Sequence, residues 1–151
     1  RHRGEIPVMW RLFLDTDVLL DVALQREPHW AASFEVLQLC ECCDAMQGMT
    51  SVLVLSDLNY VLTKATDTAT ARATIAQLRE LLLVCDVGNR ELGEALVSDF
   101  RDLEDGIQHF TALRNGADVI VTRNGPDFSS ATMAVMTPAQ FLAARRSQAD
   151  T

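Results

Sequence analysis

Along the chain, short apolar runs alternate with longer stretches in which apolar residues return every three or four positions. Trp10 to Leu14 (WRLFL) is apolar except for Arg11 and ends at Asp15, which reads as a buried strand. Asp17 to Gln25 has helical character, and Pro28 separates it from the next segment. From His29 to Asp44 the apolar residues Trp30, Phe34, Leu37 and Cys40 recur at helical spacing. Ala45 to Thr50, with Gly48 inside it, is a candidate second strand. Ser51 to Ala65 sets Val54, Leu55, Leu58, Val61 and Leu62 on one face, and Thr68 to Leu82 does the same with Ile75, Leu78, Leu81 and Leu82. Leu83 to Val87 reads as a strand, with Asn89 as a cap for a helix from Arg90 to Asp99. Leu103 to Asn115 predicts a helix stopped by Gly116. Asp118 to Thr122 (DVIVT) is the clearest buried strand, and Met133 to Met136 is a last short one. Pro138 then opens a helix to about Arg146.

Short strands alternating with helices predict one α/β domain with a mainly parallel sheet. Its expected extent is residues 9–146, with 147–151 as a disordered tail. In such sheets ligands bind beyond the carboxyl ends of the strands. Asp15 and Asp17 follow the first strand, and Thr122, Arg123, Asn124 and Asp127 follow the DVIVT strand, so these residues are expected to share a cleft.

Composition narrows the chemistry. The 151 residues are 48% apolar, enough for a sizeable core. The net charge of −8 is the reverse of a generic basic nucleic-acid binder. A polyanionic substrate would therefore have to be met by local arginines or bound cations. No apolar run is long enough to cross a membrane. The start, RHRGEIPVMW, lacks the apolar core of a signal peptide, and residues 1–8 before Met9 are read as a tag or extra N-terminal residues. Three of the four cysteines fall in LCECC (Cys40, Cys42, Cys43), with Cys85 apart. Neighbouring cysteines are poor disulfide partners, so structural thiols in a reducing cytoplasm are expected.

The acidic residues carry the chemistry. In FLDTDVLLD, three carboxylates, Asp15, Asp17 and Asp21, fall within seven positions of an otherwise apolar stretch. Asp57 is flanked by apolar residues in SVLVLSDLNYVL, where a charge is expensive unless paired. Asp105 sits just inside a helix start in RDLEDGIQHF, crowded by Asp102 and Glu104. Asp127 lies in NGPDF. Singly, each reads equally well as a cap, a turn or an exposed helix position. Together they offer several oxygen ligands and no thiolate, the set preferred by Mg²⁺ or Mn²⁺.

These segments resemble the PIN domain family. FLDTDVLLD is similar to its opening strand and turn, and SVLVLSDLNYVLTK to its second acidic helix. DLEDGIQHFTALRNGADVIVTRNGPDF is similar to the later part, and MTPAQFL to the ending of one bacterial subgroup. The resemblance implies a three-layer αβα fold with four to five short parallel strands. It also implies a metal-dependent ribonuclease like the VapC toxins, with an RNA substrate, an antitoxin partner and a homodimer. On that resemblance Asp15, Asp57, Asp105 and Asp127 match the catalytic, metal-binding acids, the second of which is more often Glu. Thr122 matches a hydroxyl that orients a ligand or water. Asp17 stands where Asn is usual. Asn124 and Glu104 would support the site, and Arg123 would hold an RNA phosphate.

Two other readings compete. A D-x-D motif after an apolar strand also resembles haloacid-dehalogenase-like phosphatases, but those need a downstream lysine, and Lys64 is the sole lysine and lies too early. A non-catalytic PIN-like or receiver-like binding module is the other. Arg114 is a weaker phosphate candidate than Arg123. His29 and His109 read as structural, Thr16 as a helix cap, and Trp10 and Trp30 as core or interface.

Overall fold

The computed structural model describes residues 9–149. Positions 1–8, expected to be extra, and positions 150–151 of the expected tail lie outside the described residues. Five strands, β1 (Trp10–Leu14), β2 (Met46–Ser51), β3 (Leu83–Cys85), β4 (Val119–Val121) and β5 (Ala134–Met136), form one sheet. Their order is β3-β2-β1-β4-β5, and every neighbouring pair is parallel. The flanking helices are α1 (Thr16–Ala23), α2 (Trp30–Cys42), α3 (Val52–Ala65), α4 (Thr68–Leu81), α5 (Asn89–Leu96), α6 (Leu103–Arg114) and α7 (Pro138–Ala149). This is the expected α/β architecture.

The central strands explain why the apolar runs are legible. Leu12, Phe13 and Leu14 of β1 and Val119, Ile120 and Val121 of β4 are all 0% exposed. Strands of a parallel sheet are covered by helices on both faces, so they are apolar throughout rather than alternating. Each such side chain contributes about 1.5–3 kcal/mol by leaving water.

Gly48 lies where β2 meets α2. A Cβ there would stand 2.6 Å from Leu82 Cδ2 and 2.8 Å from Cys40 Sγ. The close approach needs glycine, and it gives Cys40 a packing role. All four cysteines are free thiols, and burial pushes Cys40 up to about 12, an inert group. Gly116 (φ +76) takes the left-handed conformation beyond the end of α6.

Some boundaries move. The first helix begins at Thr16, with Asp15 as its N-cap, so the expected capping role of Thr16 falls to its neighbour. Gly88, not Asn89, is the N-cap of α5, and its amide donates to Glu91 Oε1 at 2.9 Å. The final helix runs three residues past the expected end at Arg146, through Ser147, Gln148 and Ala149. No glycine or proline interrupts AARRSQA, so the helix has no reason to stop at Arg146.

The topology creates the site. From β1 the chain moves outward through β2 and β3, then returns to place β4 on the other side of β1. The crevice at such a reversal is where open α/β sheets bind ligands. Leu14 is in register with Val121, and the Asp15 amide donates to the Val121 carbonyl at 3.1 Å. Asp15 and Thr122 therefore leave the sheet side by side.

Candidate metal and active site

Asp15 is 8% exposed and Thr122 is 0% exposed. The Thr122 hydroxyl lies 2.9 Å from Asp15 Oδ2 and 3.4 Å from Asp17 Oδ2, and it donates its proton to the nearer. The other Asp15 oxygen accepts from the Thr16 amide at 2.8 Å. Asp17 Oδ2 accepts from the Arg123 amide at 2.9 Å. Its second oxygen, Oδ1, is buried with no hydrogen-bond partner. The Asn124 amide donates to Thr122 Oγ1 at 3.1 Å, closing the turn after β4.

Asp105 is brought in by α6. Asp102 is the N-cap, accepting from the Asp105 amide at 3.0 Å, which fixes Asp105 in the first turn. Asp127 arrives on a 3₁₀ turn, Gly125–Phe128. Burial, then Asp17 and Asp127, push Asp15 up to about 6. Burial, then Asp102, Asp15, Asp127 and Asp17, push Asp105 up to about 7. Asp17 is also raised, chiefly by burial. Asp17 and Asp127 thus act on both Asp15 and Asp105, making those two charges harder to form.

Asp57 occupies a neighbouring position. It shares a hydrogen bond with Glu104, which raises Glu104 well above the usual carboxylate range. Glu104 and Asp105 are adjacent on α6, so the Asp57–Glu104 pair borders the central four.

Arg123 differs from the sequence expectation. Its Nε donates to Asp21 Oδ2 at 2.7 Å and its Nη2 to Asp21 Oδ1 at 3.1 Å. The guanidinium is held by a 0% exposed carboxylate rather than standing free for a phosphate. Arg114 pairs with Glu91, which is 2% exposed. Sequence reasoning counts Asp21 among the carboxylates of FLDTDVLLD but gives it no role or partner. The signal is nonetheless present: a charge within VLLDVAL, one helical turn after Asp17 and five residues before Arg26.

The other singled-out residues serve packing. His109 is 1% exposed, lies against Phe100 and Phe110, and accepts from the Thr132 amide at 3.1 Å. Burial lowers its pKa. Trp10 meets Phe141 edge-on at 5.5 Å, and Trp30 stacks on Phe34 at 5.1 Å. Lys64 lies over the Tyr60 ring at 4.4 Å.

The donor set fits a hard divalent cation: carboxylate oxygens without thiolates, several with raised pKa, and one buried orphan oxygen on Asp17. Among the described residues no three His, Cys, Asp or Glu side chains already stand close enough to share one ion.

Comparison with known proteins agrees with this architecture. A profile of the PIN domain matches residues 11–125. The chain belongs to the PIN domain family. It is 25% identical over 136 residues to Ribonuclease VapC1 of Aquifex aeolicus (strain VF5), covering 87% of this chain and 92% of that protein. Its fold is similar to that of Mycobacterium tuberculosis VapC20, described as a sarcin-ricin loop cleaving toxin. That match has a TM-score of 0.66 and 19% identity, covering 82% of this chain and 96% of the other. It is also similar to a chain of Rickettsia felis VapBC2 bound to a DNA fragment from its promoter, with a TM-score of 0.61 and 15% identity, covering 83% and 96%.

Proposed function

We propose that the protein is a Mg²⁺- or Mn²⁺-dependent endoribonuclease that hydrolyses RNA phosphodiesters and acts as the toxin of a toxin–antitoxin pair. What supports this reading is a PIN domain related to a VapC ribonuclease in which Asp17 and Asp127 act electrostatically on both Asp15 and Asp105 at the sheet's topological reversal. Asp15, Asp105 and Asp127 would hold the cation, with Asp57 and Glu104 at its border. A divalent cation bound there supplies water activation and neutralises charge growing on phosphorus. Thr122 fixes the Asp15 carboxylate through its hydroxyl, and Asn124 fixes Thr122 through its amide. Asp17, where Asn is usual, would offer the cation a further oxygen in its unpartnered Oδ1. Water attacks the phosphodiester in line, leaving a 5′-phosphate and a 3′-hydroxyl.

The acidic hollow also suits a basic side chain from an antitoxin, which would neutralise it in place of the cation. A groove of about 800 Å³ between α1, α2 and α4, in which Leu19, Phe34 and Leu78 are bordered by Glu41, Gln77 and Glu80, offers such a partner a mixed apolar and acidic seat. The homodimer expectation draws support from exposed Leu92, Leu96 and Val97 at α5 and Leu113 on α6. No described helix is long and apolar enough to cross a membrane. The four free thiols suit a cytoplasmic setting.

The test is Mn²⁺-dependent cleavage of RNA by the wild type beside Asp15→Asn. Loss of cleavage with unchanged circular dichroism supports the proposal. Equal cleavage by both proteins contradicts it.

A further inference from the structure

We propose that Asp21 is the positioning residue of the acidic site, acting through Arg123 to fasten the Thr122–Asp127 segment onto α1. This inference rests on the metal-site reading and adds to it a residue that touches neither metal nor substrate.

The Asp21 carboxylate is 0% exposed and takes four contacts. Arg123 reaches both oxygens, Arg26 Nε reaches Oδ1 at 3.1 Å, and Ser33 Oγ reaches Oδ2 at 3.4 Å. Arg123 is bound to α1 twice. Its guanidinium forks onto Asp21, while its backbone amide donates to Asp17 Oδ2, one helical turn earlier. The Thr122 hydroxyl supplies a third attachment, to Asp15.

These attachments matter because β4 ends at Val121. Thr122 still donates to the Met136 carbonyl at 3.0 Å, but Arg123 and Asn124 are held by side chains, and Asp127 only by its local bond to the Asn124 carbonyl at 2.9 Å. The guanidinium fork is thus the one tie from this segment to α1 made by a charged side chain, beside the Arg123 amide on Asp17 and the Thr122 hydroxyl on Asp15. Arginine's planar fork is specific to this geometry; lysine would keep the charge and lose the second bond.

The experiment compares wild type, Asp21→Asn and Arg123→Lys, with Arg114→Lys as a control on the unrelated Glu91 pair. In metal-free protein, amide hydrogen exchange is read at Arg123 and Asn124 against core amides of β1. Mn²⁺ affinity is then measured by calorimetry. In both Asp21→Asn and Arg123→Lys, exchange at the two loop amides should rise about 10-fold or more relative to the core. Mn²⁺ affinity should fall about 10- to 100-fold, as when a residue supporting metal ligands is lost. Arg114→Lys should leave both readings unchanged. If Asp21→Asn fails to fold, Arg123→Lys decides alone. Lower melting temperature with unchanged Mn²⁺ affinity and unchanged loop exchange would overturn the proposal and leave Asp21 a purely structural charge. Failure of the wild type to bind Mn²⁺ would instead sink the metal-site reading, while loop exchange in metal-free protein still judges the fastening.

Discussion

Asp17 and Asp21 stand one turn apart on α1, and both meet Arg123, yet only Asp21 forms ion pairs. Asp21 is enclosed by two arginines and a serine, and its partners account for both oxygens. Asp17 faces Asp15 and shares a hydroxyl with it, and one of its oxygens is buried without any partner. Glu91 belongs with Asp21, since Arg114 compensates it and holds its pKa below the usual carboxylate range. Asp105 belongs with Asp17, since its nearest charges are other acids. Burial of a charge does not separate a structural acid from a functional one. What separates them is whether the protein supplies the countercharge itself.

Substitutions should therefore act in opposite directions in the two places. The largest effect is expected for Asp15→Asn. Cleavage should fall on the order of 10³-fold, as for loss of a group that stabilises transition-state charge. The same substitution should stabilise the metal-free protein by about 1–2 kcal/mol in thermal unfolding, because it relieves repulsion. In Asp21→Ala two arginines lose their carboxylate, and chemical denaturation should show a loss of about 3–5 kcal/mol.

Acidity sharpens the contrast next. Asp15 has a raised folded pKa, about 6 against 3.8, so its folded state favours the proton. That contribution is complete below about pH 4 and is lost as pH rises through 6, a loss of up to about 3 kcal/mol in metal-free protein. Asp105 adds to the loss up to about pH 7. Saturating Mn²⁺ should reverse the trend, which melting curves across pH 4–8 would read. Glu91 has the opposite sign. Its folded pKa is lowered, so its stabilisation is present above its unfolded value of 4.5 and disappears as pH falls. The smallest effect is expected for Arg114→Ala, which strands Glu91 and should cost about 2 kcal/mol at neutral pH in urea unfolding. It should also flatten stability below pH 4.5.

The fold is largely readable because the central strands of a parallel sheet are apolar on both faces and the helices keep a 3.6 period. WRLFL and DVIVT cannot be mistaken for loops. Helix ends are less legible, because capping depends on which neighbour reaches an amide, as Asp15 does in place of Thr16. Of the site, the positions of Asp15, Asp17 and Thr122 follow from strand ends alone. The partnership of Asp21 with Arg123 does not, since it joins residues 102 positions apart through a chain reversal that local pattern does not encode. For the same reason Arg123 reads, from sequence, as a phosphate ligand. A charge buried among apolar residues demands a partner, but the sequence does not say which.

The proposed function rests on Asp15, Asp105 and Asp127 binding a divalent cation. Calorimetric titration of Mn²⁺ into the metal-free protein at pH 6.5, in two buffers of different ionisation enthalpy, tests that claim most directly. With Asp15 at about 6 and Asp105 at about 7, binding should release about one proton, and Asp15→Asn should lose most of the affinity. Absence of binding heat, or binding that releases no proton and survives Asp15→Asn, would contradict it.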